Sequence, residues 1–273
     1  MPNNTRDNNQ YFGKYFEKCI VAQINGETEL PETDFKFTEQ ELQDMWNEAK
    51  QIKNYIGTSY TATHIGDHTS TADGDIILDN GETIEIKRVS NGSGTYYGTS
   101  IYYLNKFGFD FKEYMEQYGL YQALEKYFSN MVTINRQNNS PVNSASSKLI
   151  RHDYPEIYED VIKPINDRLQ KELVQNVANY LVNNPEKAYE FYLDMINKTE
   201  SRSKKQAPDR IIVFNYIKNS IYEIQPKALE NKFVNEITTT DKGLIIGNLR
   251  IAFGWQNGIG LYNPTLRVFI KEV

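Results

Sequence analysis

The sequence has few of the residues that form covalent or zinc cross-links. Its 273 residues include one cysteine, Cys19, which excludes an internal disulfide bond. This cysteine and the three histidines form no Cys-x-x-Cys or paired Cys/His motif, so a structural zinc site of the usual kind is also excluded. The fold therefore has to be held by its core and its hydrogen bonds.

Long hydrophobic runs are missing as well. No stretch of about 18 apolar residues is present that would span a bilayer. The polar start MPNNTRDNNQ lacks the charged-then-apolar order of a signal peptide. We therefore expect a soluble cytoplasmic protein with no membrane partner.

A surplus of positive charge is the third absence. The formal net charge is −6, which is atypical of proteins that coat DNA by broad phosphate neutralisation. A nuclease is still compatible with this balance, because it needs a local carboxylate cluster for cations and basic residues along one cleft. Local patterns must therefore indicate the function.

Hydrophobic periodicity divides the chain into helical and strand-forming stretches. Thr38 and Glu41 have the spacing of a capping box at the start of one helix. Further helices are predicted at about 10–25, 111–128, 155–183 and 186–196. Extended runs are predicted in the segment 77–87, around 101–104, and in RIIVFNY, SIYEI, GLIIGNLRIAF and TLRVFI.

This order predicts an α/β or α+β fold with a mixed central β-sheet flanked by helices and an additional C-terminal β-rich part. We expect a core with the hairpin in residues 1–135 and a polar loop at 136–150 that is mobile or ordered by a ligand. A helical and β-rich part at 151–273 would serve specificity or dimerisation, as a separate part or within one domain. Residues 197–210 have the composition of a charged linker.

The segment ILDNGETIEIK, residues 77–87, has the pattern of a β-hairpin with charges in its second strand. Side chains alternate faces along a strand. Ile84 and Ile86 therefore share one face, and Glu85 and Lys87 share the other.

The turn decides which residue lies opposite Glu85. A two-residue turn at Asn80-Gly81 would direct Asp75 into the core. A three-residue loop, residues 79–81, with Gly81 in the left-handed conformation pairs Asp75 with Glu85 instead. The hydrophobic pattern favours the second register, because a one-residue slip would mix apolar and charged groups on both faces.

In that register two carboxylates lie side by side, and they repel each other unless a positive charge lies between them. A hard divalent cation such as Mg²⁺ accepts one or two carboxylates and keeps its other positions for water and phosphate. Lys87 would add a point charge that orients or helps to deprotonate the attacking water and balances charge on a phosphate. The hairpin is thus a candidate cation site.

Asp75, nine further residues and then Glu85-Ile86-Lys87 resemble the PD-(D/E)xK nuclease superfamily. In place of the family's proline this chain has Gly74. The upstream helix YFGKYFEKCI resembles the first core helix of the family, which often brings a glutamate, here Glu17, to the site. The resemblance implies catalysis by Asp75, Glu85 and Lys87, with Mg²⁺ held by Asp75, Glu85 and Glu17.

Polar residues after the second strand are candidates for DNA contacts, because hydroxyls, amides and a guanidinium suit phosphates and base edges. They are Arg88, Ser90, Asn91, Ser93, Tyr96 and Tyr97. The alternative is a flexible Gly/Ser loop. Arg202, Lys204 and Lys205 are weaker candidates for backbone contacts, since a solvated linker also accounts for them.

Other readings of the same residues remain open. A cross-strand Glu-Lys pair on a solvated face would be worth little and would need no metal. Asp73 competes with Asp75 for the metal, and Glu82 is expected to face solvent. His64 and His68 are four apart but lie outside any helical pattern, so loop or surface positions are expected rather than metal ligands.

The favoured function is a type II restriction endonuclease that uses Mg²⁺ to hydrolyse duplex DNA at a specific sequence. A homodimer is implied if the target is palindromic. One alternative is a structure-directed nuclease, such as a junction resolvase or a phage or repair nuclease. Another is a non-catalytic DNA-binding protein. The segment that reads bases stays open between GWQNGIGLYN, with the C-terminal strands beside it, and SNGSGTYYG.

Overall fold

In the computed structural model, the described residues are 5–65, 74–90, 93–134, 141–143, 146–199, 207–226, 237–241, 243–254 and 264–271. The helices are Thr5–Ile24 (α1), Glu39–Ile56 (α2), Phe111–Gln117 (α3), Leu120–Phe128 (α4), Ser147–Asp153 (α5), Pro155–Ile157 (α6), Lys163–Asn183 (α7) and Pro185–Ile196 (α8). A 3₁₀-helix spans Ile101–Phe107, and a π-helical turn spans Tyr158–Ile162. The strands are Ala62–His64 (β1), Ile76–Leu78 (β2), Thr83–Val89 (β3), Ser93–Ser100 (β4), Val132–Ile134 (β5), Pro141–Asn143 (β6), Arg210–Asn215 (β7), Ser220–Ile224 (β8), Ile237–Thr240 (β9), Gly243–Ile246 (β10), Leu249–Gly254 (β11) and Thr265–Lys271 (β12).

Two five-stranded sheets form the framework. The first has the order β1-β2-β3-β7-β8 and is mixed, because β3 and β7 run parallel while the other neighbours run antiparallel. The second has the order β4-β12-β11-β10-β9 and is antiparallel throughout. This arrangement of helices and sheets confirms the predicted α+β fold with a mixed sheet.

The first sheet is buried on both faces. Helices α1 and α2 cover one face, where Ile84, Ile86 and Ile212 belong to a single apolar cluster. Ile211 and Val213 point to the opposite face and join a larger cluster shared with the second sheet and with α7 and α8. A strand covered on both sides needs apolar residues at consecutive positions, which explains the unbroken run IIVF, residues 211–214, in β7.

The parallel pair β3/β7 joins distant parts of the chain. The carboxylate of Asp209, just before β7, accepts hydrogen bonds of 2.9 Å from both the backbone N–H and the hydroxyl of Thr83. The register then places Glu85 beside Ile211 and Lys87 beside Val213. Both charged side chains consequently lie on the face of the sheet that turns toward the second sheet and α8.

Both sheets take strands from each side of the segment 136–150. The first sheet combines β1–β3 with β7 and β8, and the second combines β4 with β9–β12. Strand β4 follows β3 directly in sequence and so links the two sheets. The hairpin and the C-terminal strands are therefore interleaved in space.

The predicted start of α2 is confirmed at its cap. Thr38 accepts a hydrogen bond from the backbone N–H of Glu41, and the Glu41 carboxylate accepts one from the backbone N–H of Thr38. The helix ends before Gly57, as the pattern predicts. The predicted helical stretch 111–128 is divided into α3 and α4 at Gly119, which has a positive φ of 75°.

The expectation of an extended run at 101–104 is wrong. The Ser100 hydroxyl caps a 3₁₀-helix by accepting from the backbone N–H of Tyr102. Ile101, Leu104 and Phe107 are all buried and recur every three residues, which is the repeat of a 3₁₀-helix.

Two loop expectations also fail. SNGSGTYYGTS is largely strand β4, because β12 at the far end of the chain supplies a hydrogen-bonding partner. Within 136–148, Pro141–Asn143 pairs with β5, and Ser146 is the N-cap of α5, where its hydroxyl accepts from Leu149. Serine is common in loops, but its hydroxyl also caps the first turn of helices.

Among the described helices, none combines the length and the apolar character needed to cross a membrane.

Replacement of Ile212 by alanine tests the importance of β7 for the fold. Ile212 is fully buried in the cluster beneath α1 and α2, so the cavity should lower the free energy of unfolding by about 2–5 kcal/mol in urea denaturation. Ile217→Ala is the matched control, because Ile217 is 68% exposed and the same change should stay within about 0.5 kcal/mol. Equal effects at the two positions would contradict the buried role of β7.

Candidate catalytic hairpin

The hairpin adopts the predicted three-residue loop. Ile76 lies opposite Ile84, and the N–H of Leu78 donates to the carbonyl of Glu82, which leaves residues 79–81 as the turn. Gly81 has a φ of 88°, in the left-handed region that glycine adopts without strain. The register is therefore confirmed for Ile76 with Ile84 and Ile77 with Thr83, and the N–H of Asp75 donates to the carbonyl of Ile84.

Asp75 directly precedes β2, and its side chain is held by a backbone N–H group of β3. Its Oδ2 accepts a hydrogen bond of 2.8 Å from the backbone N–H of Ile86. Its own carbonyl accepts from the N–H of Ile65, which follows β1. The carboxylate thus takes the place of a backbone acceptor in the sheet and cannot turn away from Glu85 and Lys87.

Gly74 lies against the backbone of β3. A Cβ at this position would lie 2.9 Å from the carbonyl oxygen and 3.1 Å from the carbonyl carbon of Ile84. These atoms belong to the backbone of a central strand and cannot move aside. The close approach that positions Asp75 therefore requires a residue without a side chain.

Lys87 lies between the two carboxylates. Its Nζ is 2.5 Å from Oε1 of Glu85 and 3.9 Å from Oδ2 of Asp75. The three side chains are largely buried, with exposed fractions of 18% for Lys87, 17% for Asp75 and 8% for Glu85. The ion pairs of Lys87 with these two carboxylates are therefore not solvated surface contacts of the weak kind.

A second lysine, which the sequence did not single out, also contacts Glu85. Nζ of Lys198 is 2.8 Å from Oε2 of Glu85, and the Lys198 side chain is 2% exposed. It follows α8 within the stretch predicted as a solvated linker, so its burial is a correction to that part of the prediction. No sequence pattern indicates this contact, because 113 residues separate the two partners.

Glu17 lies beside the same group. Its carboxylate is 2.9 Å from Nε2 of His64, which is placed by β1 and is 11% exposed at its side chain. Its negative charge raises the pKa values of both Asp75 and Lys87. Helix α1 thus brings Glu17 to the site as expected, and His64, expected at a loop or surface, is a largely buried partner of it.

Burial and charge move the pKa values of the two hairpin carboxyls in opposite directions. Burial is the main cause that raises the pKa of Asp75 to about 7; Lys87 opposes the change, and the charges of Glu85 and Glu17 add to it. Burial also acts to raise the pKa of Glu85, but Lys87 and Lys198 outweigh it and lower that pKa to about 2. The pKa of Lys87 is raised by Glu85 and Asp75 against the effect of burial.

The candidate DNA contacts are largely engaged within the protein. Arg88 donates two hydrogen bonds, of 2.6 and 2.9 Å, to Glu48 of α2, and its guanidinium lies 3.8 Å from the ring centre of Tyr216. Tyr96 is buried and donates to the carbonyl of Ile196, and Tyr97 donates to the carbonyl of Asp194. The two tyrosines hold β4 against α8, so they are unsuited to the base contacts expected of them.

A cleft of about 1000 Å³ opens beside the hairpin. Ser90, one of the DNA-contact candidates, lines it together with Glu17 and Lys87. Much of the remaining wall is aromatic and comes from α1, the segment before α2 and the turn after β7: Tyr11, Phe12, Phe16, Phe35, Phe37 and Tyr216. The cleft therefore connects an acidic and basic end with an aromatic end.

Some candidates fall outside the described part of the chain. They are Asp73, His68, Asn91, Arg202, Lys204, Lys205 and most of GWQNGIGLYN. Ser93 is the first residue of β4. Glu82 is not simply solvent-facing, because its carboxylate lies 3.5 Å from the guanidinium of Arg210.

The fit of Mg²⁺ to this hairpin depends on two carboxylates. Within the described residues, no group of three or more His, Cys, Asp and Glu side chains is arranged to hold a metal by itself. Mg²⁺ commonly uses one or two protein carboxylates and completes its shell with water and substrate phosphate. Asp75, held by the N–H of Ile86, and Glu85, held by Lys87 and Lys198, are two carboxylates of that kind.

The sequence matches no protein-family model and has no significant match among curated proteins. The interpretation of the hairpin therefore depends on its own geometry and chemistry.

Replacement of Gly74 by alanine tests the close approach. The added methyl group would overlap the β3 backbone, so we expect a loss of about 1–3 kcal/mol in the free energy of unfolding. Gly13→Ala is the matched control, because a Cβ there meets nothing within 4 Å in the middle of α1, and alanine favours a helix by up to about 1 kcal/mol. Stabilisation by Gly74→Ala in urea denaturation would contradict the geometry.

The pH dependence of stability tests the burial of Asp75. Its folded pKa, about 7, lies above its ordinary value of 3.8, so ionisation destabilises the fold as the pH rises between these two values. The Asp75→Asn variant has no ionisable group at this position. Its free energy of unfolding relative to wild type should increase from about pH 4 to pH 7 and then stay constant. Urea titrations in EDTA at several pH values would measure this. A difference in the free energy of unfolding that does not change with pH would show that ionisation of Asp75 does not destabilise the fold.

Proposed function

We propose that this protein is a Mg²⁺-dependent endodeoxyribonuclease that cleaves duplex DNA at a specific sequence, in the manner of a type II restriction endonuclease. The observation that supports this most directly is the convergence of Asp75, Glu85 and Lys87 on one buried face of a hairpin. Lys87 also lines the cleft beside that face. Clusters of this kind, buried at the edge of a cleft and with displaced pKa values, are typical of catalytic sites.

Asp75 and Glu85 are the residues that would hold the cation. When bound, Mg²⁺ would lower the pKa of a water molecule and stabilise negative charge on the phosphate. Asp75 is held in place by the N–H of Ile86, and Glu85 is held by its lysine partners. The protein thus supplies two carboxylates whose positions are set before a ligand arrives.

Lys87 would act on the phosphate. Its ammonium group lies beside both carboxylates, and the residue lines the cleft, so a phosphodiester bound there would meet a positive charge as its own negative charge grows in the transition state. Water attacks phosphorus in line, the bond from phosphorus to the 3′ oxygen breaks, and that oxygen takes a proton. The products would carry a 5′ phosphate and a 3′ hydroxyl.

The restriction assignment draws on the size of the chain and its layout. The hairpin lies in the first third of the chain, and the remaining part supplies a second sheet and several helices that can serve specificity and dimer contacts. A two-fold symmetric dimer would match a palindromic target. The cytoplasm, where such enzymes meet foreign DNA, is the proposed location.

The aromatic wall of the cleft favours a second candidate, a structure-directed nuclease. Tyr11 and Phe35 stack with ring centres 3.9 Å apart, and both are about 40% exposed, at 38% and 41%. Exposed aromatic rings can stack on unpaired bases, which branched or single-stranded DNA offers and intact duplex does not. The substrate preference therefore separates the two candidates.

The test is cleavage of unmethylated phage DNA by the purified protein in Mg²⁺, analysed on a gel. Wild type should give discrete bands, while Lys87→Ala and an EDTA sample should lose cleavage by at least about a hundredfold, the typical scale for one catalytic group. Lys50→Ala, an exposed lysine on α2, is the control and should cleave like wild type. Parallel reactions with branched and single-stranded DNA identify the second candidate.

Intact DNA of every form with Mg²⁺ and Mn²⁺ would refute both nuclease candidates. Cleavage that survives in Lys87→Ala would refute the assignment of the site. DNA binding without cleavage would favour a non-catalytic DNA-binding protein.

A further inference from the structure

The environment of Lys198 is unusual for a lysine. The residue follows α8 in a left-handed backbone conformation, with a φ of 55°, and its side chain is 2% exposed. Its Nζ lies 4.2 Å from the ring centre of Tyr96, and Tyr96 is itself anchored to the carbonyl of Ile196. Lysine is almost never fully buried unless it is paired, so the partner of this ammonium group explains its position.

The partner of the Lys198 ammonium group is Oε2 of Glu85. Lys198 contacts Oε2 at 2.8 Å, whereas Lys87 contacts Oε1 at 2.5 Å and also faces Asp75. The two oxygens of one carboxylate are thus divided between two lysines. The oxygen on the side of Asp75 is Oε1, and the oxygen turned toward α8 is Oε2.

Stability alone is a weak explanation for this arrangement. A buried ion pair often contributes no more than apolar residues of similar volume, since both charges lose their hydration. When both carboxyls are ionised, Asp75 and Glu85 carry two negative charges, and Lys87 and Lys198 carry two positive charges, so these four side chains are balanced apart from the neighbouring Glu17. A divalent cation that enters between the carboxylates meets a group whose charge is already compensated.

Building on the proposed function, we propose that Lys198 is a positioning residue that acts through Glu85. It holds Oε2, leaves Oε1 on the side of Lys87 and Asp75, and serves as an internal counter-ion that limits the affinity of the hairpin for divalent cations. Because its side chain is buried, it would not contact DNA.

This role gives two effects of opposite sign. Without Lys198 the hairpin gains net negative charge, so divalent cations should bind roughly tenfold more tightly. The carboxylate is also free to rotate, so cleavage should slow by at least about tenfold in kcat, with the KM for DNA unchanged. Loss of a purely structural contact would instead loosen the site and weaken cation binding.

The experiment is calorimetric titration of the full-length protein with Mn²⁺ without DNA, followed by steady-state cleavage. Lys198→Met removes the charge and keeps much of the length, and Lys198→Gln keeps a hydrogen-bond donor without charge. Thermal unfolding shows whether each variant is folded, and the second variant answers the question if the first is not. Lys106→Met is the matched control, because Lys106 also pairs with carboxylates of α8, Glu190 and Asp194, but does not contact Glu85.

Tighter Mn²⁺ binding in a folded Lys198 variant, with lower kcat and no such change in Lys106→Met, would support the inference. Unchanged or weaker binding, with wild type still binding Mn²⁺ and cleaving DNA, would overturn the role of Lys198 and leave the proposed function intact. Wild type that binds no Mn²⁺ and cuts no DNA would overturn both.

Discussion

The parallel pairing of β3 with β7 is the constraint on which the rest of the molecule depends. It pairs the second edge of β3, the charged strand, and so makes β3 a central strand of the sheet. Helices α1 and α2 then bury one face, and the second sheet and α8 close over the other. Glu85 and Lys87 are therefore charged residues on a strand that is largely covered on both faces.

Desolvation explains why the charges at this place occur as a group. Each carboxylate placed between the two sheets loses hydration, and each then needs a positive charge or a hydrogen-bond donor nearby. Glu85 has two lysines and a pKa lowered to about 2. Asp75 has one backbone N–H and a more distant lysine, and burial raises its pKa to about 7. Such an imbalance is a typical cost of a binding or catalytic site, where stability is given up for a charge that a ligand can neutralise.

Local pattern was sufficient where neighbours in sequence are neighbours in space. The capping box of Thr38, the loop at residues 79–81 and the pairing of Ile76 with Ile84 all follow from alternation and turn chemistry. Partners from distant segments were beyond this kind of reasoning. The composition of β4 suits a loop because its partner β12 lies 165 or more residues away, and Lys198 resembles a linker residue because nothing nearby in sequence indicates Glu85. The close approach of Gly74 likewise depends on the backbone of another strand.

The position of Lys198 and β7 late in the chain has a consequence for synthesis. The hairpin emerges from the ribosome more than 100 residues before either of them, so the nascent protein carries Asp75, Glu85 and Lys87 without the strand and the lysine that fix them. Non-local strand pairing of this kind also forms slowly. The complete charged group is therefore a property of the finished chain, and a shortened translation product that ends before residue 198 has the sequence motif without the site.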